Sequence, residues 1–188
     1  SMGQRIDVRL DLPGQARSFP ILALHEGGLQ RTGTILRPTG ADVTRIAGAG
    51  DVAGPVLDLA LEAEIRATSP LVSRPADKAF DMRLTGDMTA YRWSLATNAP
   101  ILVDVGDRVE VTMTNTSMMA HPMHLHGHHF QVVAIDGRRI LGAVRDTVLV
   151  APMRAVTIAV DADNVGQWAF HCHHLYHMAT GMMSTFGY

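Results

Sequence analysis

From residue 78 to the end of the chain, apolar and polar positions alternate in short runs closed by turn signals. A period of two is the mark of strands with one face buried. The runs are 79–85, 90–95, 101–103, 108–115, 130–136, 146–150, 155–160, 166–172 and 182–186. Between them stand Val105-Gly106-Asp107, Asp136-Gly137 and the Ala-Asp-Asn-Val-Gly stretch of 162–166. Many short strands with almost no helical periodicity predict an all-β antiparallel sandwich or barrel, and 78–188 suffices for one such domain.

The earlier part of the chain is less regular. Arg5 to Leu12 alternates polar with apolar and stops at Pro13-Gly14, which predicts a strand and a turn, and a second strand is predicted at 18–25. Residues 37–54, rich in Gly, Pro, Ala and Thr, read as linker. Residues 55–68 fit two patterns: Leu57, Leu61 and Ile65 share a helix face, while Leu57, Leu59, Leu61, Ala63 and Ile65 share a strand face. A short helix or an extended connector follows. The first 40 or so residues are too few for a domain of their own and read as closing strands without partners, which divides the chain into 1–40, 41–77 and 78–188.

Composition narrows the function. The chain has 188 residues, 47% hydrophobic and 18% charged, in the range of a folded globular protein. Sixteen basic and 18 acidic residues leave a formal charge of −2 with no Lys/Arg run, so a nucleic-acid surface is excluded. No apolar stretch approaches the roughly 20 residues of a membrane span. Ser1-Met2-Gly3 has neither the basic nor the apolar region of a targeting signal and reads as an expression remnant, so the chain is expected to be a piece of something longer. One cysteine, Cys172, rules out an intramolecular disulfide.

One anomaly remains: nine of the ten histidines lie between His121 and His177, and Met118, Met119, Met123, Met178, Met182 and Met183 fall in nearly the same region. Histidine, methionine and one cysteine are the donors preferred by soft transition metals. Along an extended segment side chains alternate, so His171 and His173 share one side and Cys172 faces the other. One triplet can therefore serve two metal sites. His124 and His126, also two apart, form a matching pair. On the opposite side His121, His177 and Met182 can join Cys172, and two imidazoles, a thiolate and a weak thioether form the ligand set of a blue-copper centre. Zinc would use the same nitrogens and sulfur, but gains little from the methionine. His128, His129 and His174 are expected at the surface or behind the ligands, His25 as structural, and the other five methionines of this region as core or rim packing.

His121-Pro122-x-His124-Leu125-His126-Gly127-His128-x-Phe130 and His171-Cys172-His173-x3-His177-x3-Gly181-Met182 resemble the two C-terminal copper signatures of the multicopper oxidases, the laccase-like and copper-resistance oxidases. Tyr91-Arg92-Trp93-Ser94-Leu95, Arg145-Asp146-Thr147-Val148 and Gly166-Gln167-Trp168-x-Phe170 fit the same family. The resemblance implies a cupredoxin-like Greek-key fold for 78–188, an interdomain connection at 41–77, and in 1–40 the remnant strands of a preceding, truncated cupredoxin domain. It also implies copper: His121, Cys172, His177 and Met182 at a type 1 ion, His124 at a type 2 ion, and His126, His171 and His173 at a type 3 pair. Cys172, His171 and His173 would then carry electrons from a small reducing substrate, Cu(I) or phenol-like, to dioxygen. A periplasmic or secreted location is implied as well. The family's cluster needs two further His-x-His pairs, which this chain lacks before residue 120, so the missing N-terminal cupredoxin domain is an expected partner. No acid occurs in 174–181 to deliver protons, which leaves Asp104, Asp107 or a group on the missing domain. The alternative is a small blue-copper electron-transfer or copper-binding protein, in which the four histidines of the second cluster would be idle.

Overall fold

The computed structural model describes residues 1–11 and 17–188, which form two compact units, Ile6–Leu57 and Asp58–Tyr188 with Ser1–Arg5. In the smaller unit β1 (Phe19–Leu24) pairs antiparallel with β2 (Arg31–Leu36). The stretch after β2 forms no ladder, but isolated bridges Glu26 to Gly54 and Gln30 to Ala49 pin it to the hairpin.

The larger unit opens with one helical turn, α1 (Ala60–Glu64), then β3 (Lys78–Asp87), β4 (Arg92–Thr97), β5 (Ile101–Leu102), β6 (Arg108–Asn115), β7 (His121–Leu125) and β8 (Phe130–Ile135). It continues through β9 (Arg138–Arg139), β10 (Val144–Arg145), β11 (Thr147–Val150), β12 (Ala155–Asp161), β13 (Gln167–Cys172), α2 (Leu175–Ala179) and β14 (Met183–Gly187). One sheet runs β10-β8-β12-β6-β3-β4 with β9 beside β8, the other β11-β7-β13-β14-β5. The chain passes between sheets at β4 to β5, β5 to β6, β6 to β7, β7 to β8, β10 to β11, β11 to β12 and β12 to β13, which makes the two layers a Greek-key sandwich. This is the expected cupredoxin-like architecture.

Alternation explains the layering. On β6, Val109, Val111 and Met113 are wholly buried, and they meet Met82 and Leu84 of β3, Val156 and Ile158 of β12, and Met123, Leu125, Phe170 and Phe186 of the other sheet in one core. Each such side chain contributes about 1.5–3 kcal/mol by leaving water. Glu110, Thr112 and Thr114 of β6 face outward, and the buried Arg108 at its start is held by both carboxylate oxygens of Asp161.

Three expectations need correction. Residues 5–11 form no strand, and Ile6 and Val8 are 70% and 68% exposed: alternation makes a strand only where a neighbour accepts its ladder and covers its apolar face. Leu12 and the Pro13-Gly14 turn lie outside the described residues. Strand β2 was not predicted, because Arg31-Thr32-Gly33-Thr34-Ile35-Leu36 lacks alternation, and its register against β1 supplies the ladder instead. Helix α2 was not predicted either, and its single turn proves decisive below.

Candidate metal centres

Strands β7 and β13 lie side by side, with His171 opposite His124 and Cys172 opposite Met123. The pleat sends Cys172 into the sandwich, fully buried, where its Sγ lies 3.7 Å from His121 Nδ1 and 3.9 Å from His177 Nδ1. The two Nδ1 atoms are 3.3 Å apart. In a continued strand a residue five places on would point away from Cys172. The turn of α2 brings His177 back. After it, the Met182 N–H donates to the His177 carbonyl at 2.9 Å and the Cys172 N–H to the Met182 carbonyl at 3.1 Å, which fastens the fully buried Met182 beside the same group.

Burial governs the protonation of this cluster. It pushes His121 down to about 3 and His177 down to about 4, with neighbouring histidines adding to both, and pushes the Cys172 thiol up to about 11. Both imidazoles are neutral at pH 7 and offer lone pairs, while the thiol keeps its proton until a cation replaces it. Three donor atoms of soft and borderline type, converging in a dry pocket, suit copper. Behind His121, Nε2 lies 2.8 Å from Ser117 Oγ, and Ser117 Oγ–H donates to Asn115 Oδ1 at 2.9 Å. The Asn115 amide donates in turn to the carbonyls of Met119, Val150 and Ala151. With the Nδ1 lone pair facing Cys172, His121 carries its proton on Nε2 and donates it to Ser117, so this relay sets both tautomer and ring direction. Residue pattern alone did not single out Ser117 and Asn115. A polar pair four and six places before the first histidine, on a buried strand end, is the only signal they leave.

On the other side of β13, His124, His126 and His171 converge so that one nitrogen from each lies within 4.8 Å of the others, and His126 Nε2 is 3.0 Å from His171 Nε2. His124 Nδ1–H donates to the Asp146 carbonyl at 2.8 Å and His171 Nδ1–H to the Cys172 carbonyl at 3.0 Å, which turns each Nε2 to the cluster. Burial lowers both below the ordinary histidine range, Asp146 partly opposing it at His124. His173 lies outside that group of nitrogens, although its ring centroid is 5.6 Å from that of His124, as far as that of His171 is, and 5.8 Å from that of His171; Gly3 packs on the ring with no room for a Cβ. His126 is exposed and His124 and His173 half-buried, so this cluster opens to solvent.

The remaining side chains sort less simply. Of the histidines expected at the surface or behind the ligands, His128 is buried, with its Nε2 2.7 Å from the Tyr188 hydroxyl, and His129 is exposed. The His174 ring lies parallel to that of His177 at 4.9 Å. Met123 is core, Met119 packs against it, Met178 is half-buried, and Met118 and Met183 are exposed. Asp104 and Asp107 share Lys78. The carboxylate beside the open cluster is Asp146, 3.9 Å from His124 Nδ1 and paired with Arg5.

Residues 69–187 match the family model described as multicopper oxidase. Multicopper oxidase MmcO of Mycobacterium tuberculosis is 34% identical over 202 aligned positions, covering all of this chain and 37% of that protein. Copper resistance protein A of Escherichia coli is 36% identical over 114, covering 58% of this chain and 18% of that one. Among solved structures, a laccase from Pediococcus acidilactici superposes with a TM-score of 0.52 at 27% identity, over 73% of this chain and 32% of its own. The chain thus spans little more than a third of one curated relative and under a fifth of the other. No helix among the described residues is long and apolar enough to cross a membrane.

Proposed function

The chain belongs to the multicopper oxidase family, and from that premise we propose that it is the part of a longer oxidase that takes electrons from a reducing substrate and passes them toward dioxygen. The observation that carries this reading is the two-faced strand: Cys172 joins one donor cluster while its neighbour in sequence, His171, joins the other. In this reading His121, Cys172 and His177 hold a type 1 copper with Met182 as its weak fourth ligand, His124 holds a type 2 copper, and His126, His171 and His173 hold the type 3 pair. Bound copper supplies one-electron redox chemistry at the first centre and dioxygen reduction to water at the second.

The protein's own share is electrostatic and positional. Ser117 and Asn115 aim His121, the Asp146 carbonyl aims His124, and the Cys172 carbonyl aims His171. The Cys172–His171 peptide and the hydrogen bond from His171 Nδ1–H to the Cys172 carbonyl supply a covalent and a hydrogen-bonded link between the centres. Residues 78–188 are the copper-binding cupredoxin domain of this reading, 41–77 the connection and 1–40 strands of a preceding domain. That domain would complete the open cluster with two His-x-His pairs. Cu(I) or a phenol-like reductant would serve as substrate, and the likeness to a copper resistance protein supports the first. It also supports a periplasmic or secreted setting.

Titrating the metal-free chain with Cu(II) tests the reading. The expected result is the intense blue thiolate absorption at one copper per chain, with further colourless copper on the open cluster. A chain that takes up copper and stays colourless overturns it.

A further inference from the structure

One side chain outside the donor set touches both imidazoles of the closed centre. Trp93 is 3% exposed, and its ring lies 3.8 Å from that of His177, centroid to centroid, at an interplanar angle of 23°. The same indole meets His121 edge-on at 5.2 Å. It comes from β4, the edge strand of the larger sheet, whereas the donors come from β7, β13 and α2.

The fold makes room for it twice. Gly86, its cross-strand partner on β3, leaves its face free for the indole, since a Cβ there would overlap the ring. Gly181, in the turn between α2 and β14 at φ 126°, leaves the place of its Cβ to the Trp93 carbonyl. The Trp93 N–H reaches the Thr180 carbonyl of that turn at 3.4 Å. The indole Nε1, by contrast, is buried with no hydrogen-bond partner among the described residues. An unpaired buried N–H is a cost that an apolar side chain of the same shape avoids, so packing alone does not account for an indole at this position.

We propose that Trp93 is a positioning residue of the closed centre: its indole fixes the plane of the His177 imidazole so that Nδ1 stays aimed at Cys172, and it shuts water away from that ring. The proposal rests on the copper reading above. A hydrogen bond from Ser117 steers His121 by its far nitrogen. Stacking steers His177 by its plane, and the surrounding apolar shell sets how much solvent reaches the metal.

The test uses the chain of residues 1–188 with Trp93→Leu and Trp93→Phe. Each is titrated with Cu(II) against a competing chelator, the affinity is read from the blue absorption, and the reduction potential and EPR signature are recorded. Thermal unfolding of the metal-free forms reports the fold separately. The leucine variant is expected to lose about 10–100-fold in affinity. Its potential should fall, because water admitted to the site favours the more highly charged oxidised state. The phenylalanine variant should move less, in the same direction. A leucine variant with the affinity, EPR and potential of the parent overturns the role of Trp93, and if that variant does not fold, the phenylalanine variant decides by the same rule. A parent chain that never turns blue overturns the copper reading itself and this proposal with it.

Discussion

The two faces of β13 carry donor clusters of opposite character. The one around Cys172 is closed: its donors are buried, a relay of hydrogen bonds stands behind one imidazole and an indole lies against the other. The one around His171 is open, with His126 exposed and His173 outside the group of converging nitrogens. A closed cluster has every group it needs within one fold. An open one leaves its nitrogens facing solvent, and this chain spans 37% of one curated relative's length.

Removing the sulfur should break the comparison most sharply. Cys172→Ser is expected to abolish the blue absorption entirely while colourless copper stays on the imidazoles, as absorption and EPR of the loaded chain would show; surviving colour would mean that the closed cluster is not the thiolate centre. Nearly as large is the contrast in turnover. The copper-loaded chain should consume dioxygen no faster than free copper does in an oxygen-electrode assay with a phenolic reductant, and robust uptake would mean that the open cluster is complete as it stands.

Protonation separates the clusters next. At the closed centre the imidazoles are neutral above about 4 and the thiol stays protonated to about 11, so binding releases one proton and affinity should rise about tenfold per pH unit across that window. At the open cluster His124 and His171, lowered by burial, are neutral already, and affinity there should change little above neutral pH. Calorimetry in buffers of different ionisation enthalpy counts the protons directly. A flat profile at the closed centre would refute the buried thiol.

Two substitutions sharpen the picture on a smaller scale. Ser117→Ala leaves His121 Nε2 unpaired in the interior and should cost about 1–3 kcal/mol in thermal unfolding, with weaker copper binding at the closed centre alone. Met182→Leu keeps the volume of a fully buried side chain, costs less than about 1.5 kcal/mol, and should leave the site blue while raising its potential, since a weak donor is lost. An unchanged potential would remove Met182 from the ligand set.

Much of the site was legible because its logic is local. His-Cys-His on a strand alternates by pleat geometry, whatever surrounds it, and so does His124-Leu125-His126. His177 was legible as a donor by type and spacing, yet the turn that delivers it was not, since Leu175–Ala179 is too short to show helical periodicity. At residues 5–11 the same reading failed in reverse. A pattern good enough for a strand met no ladder among the described residues, and its apolar side chains stayed in water.

The order of residues by itself determined which donors exist, which of them share a side of β13, and that the regular part of the chain folds as layered strands, because side-chain alternation is a property of each strand alone. Only the tertiary structure decided that Cys172 meets His121 from a neighbouring strand, that Ser117 and Trp93 hold the two imidazoles, and that one cluster is sealed while the other is open. Those are contacts between elements remote in sequence. Their distances follow from how two sheets and a single helical turn pack, which no local pattern records.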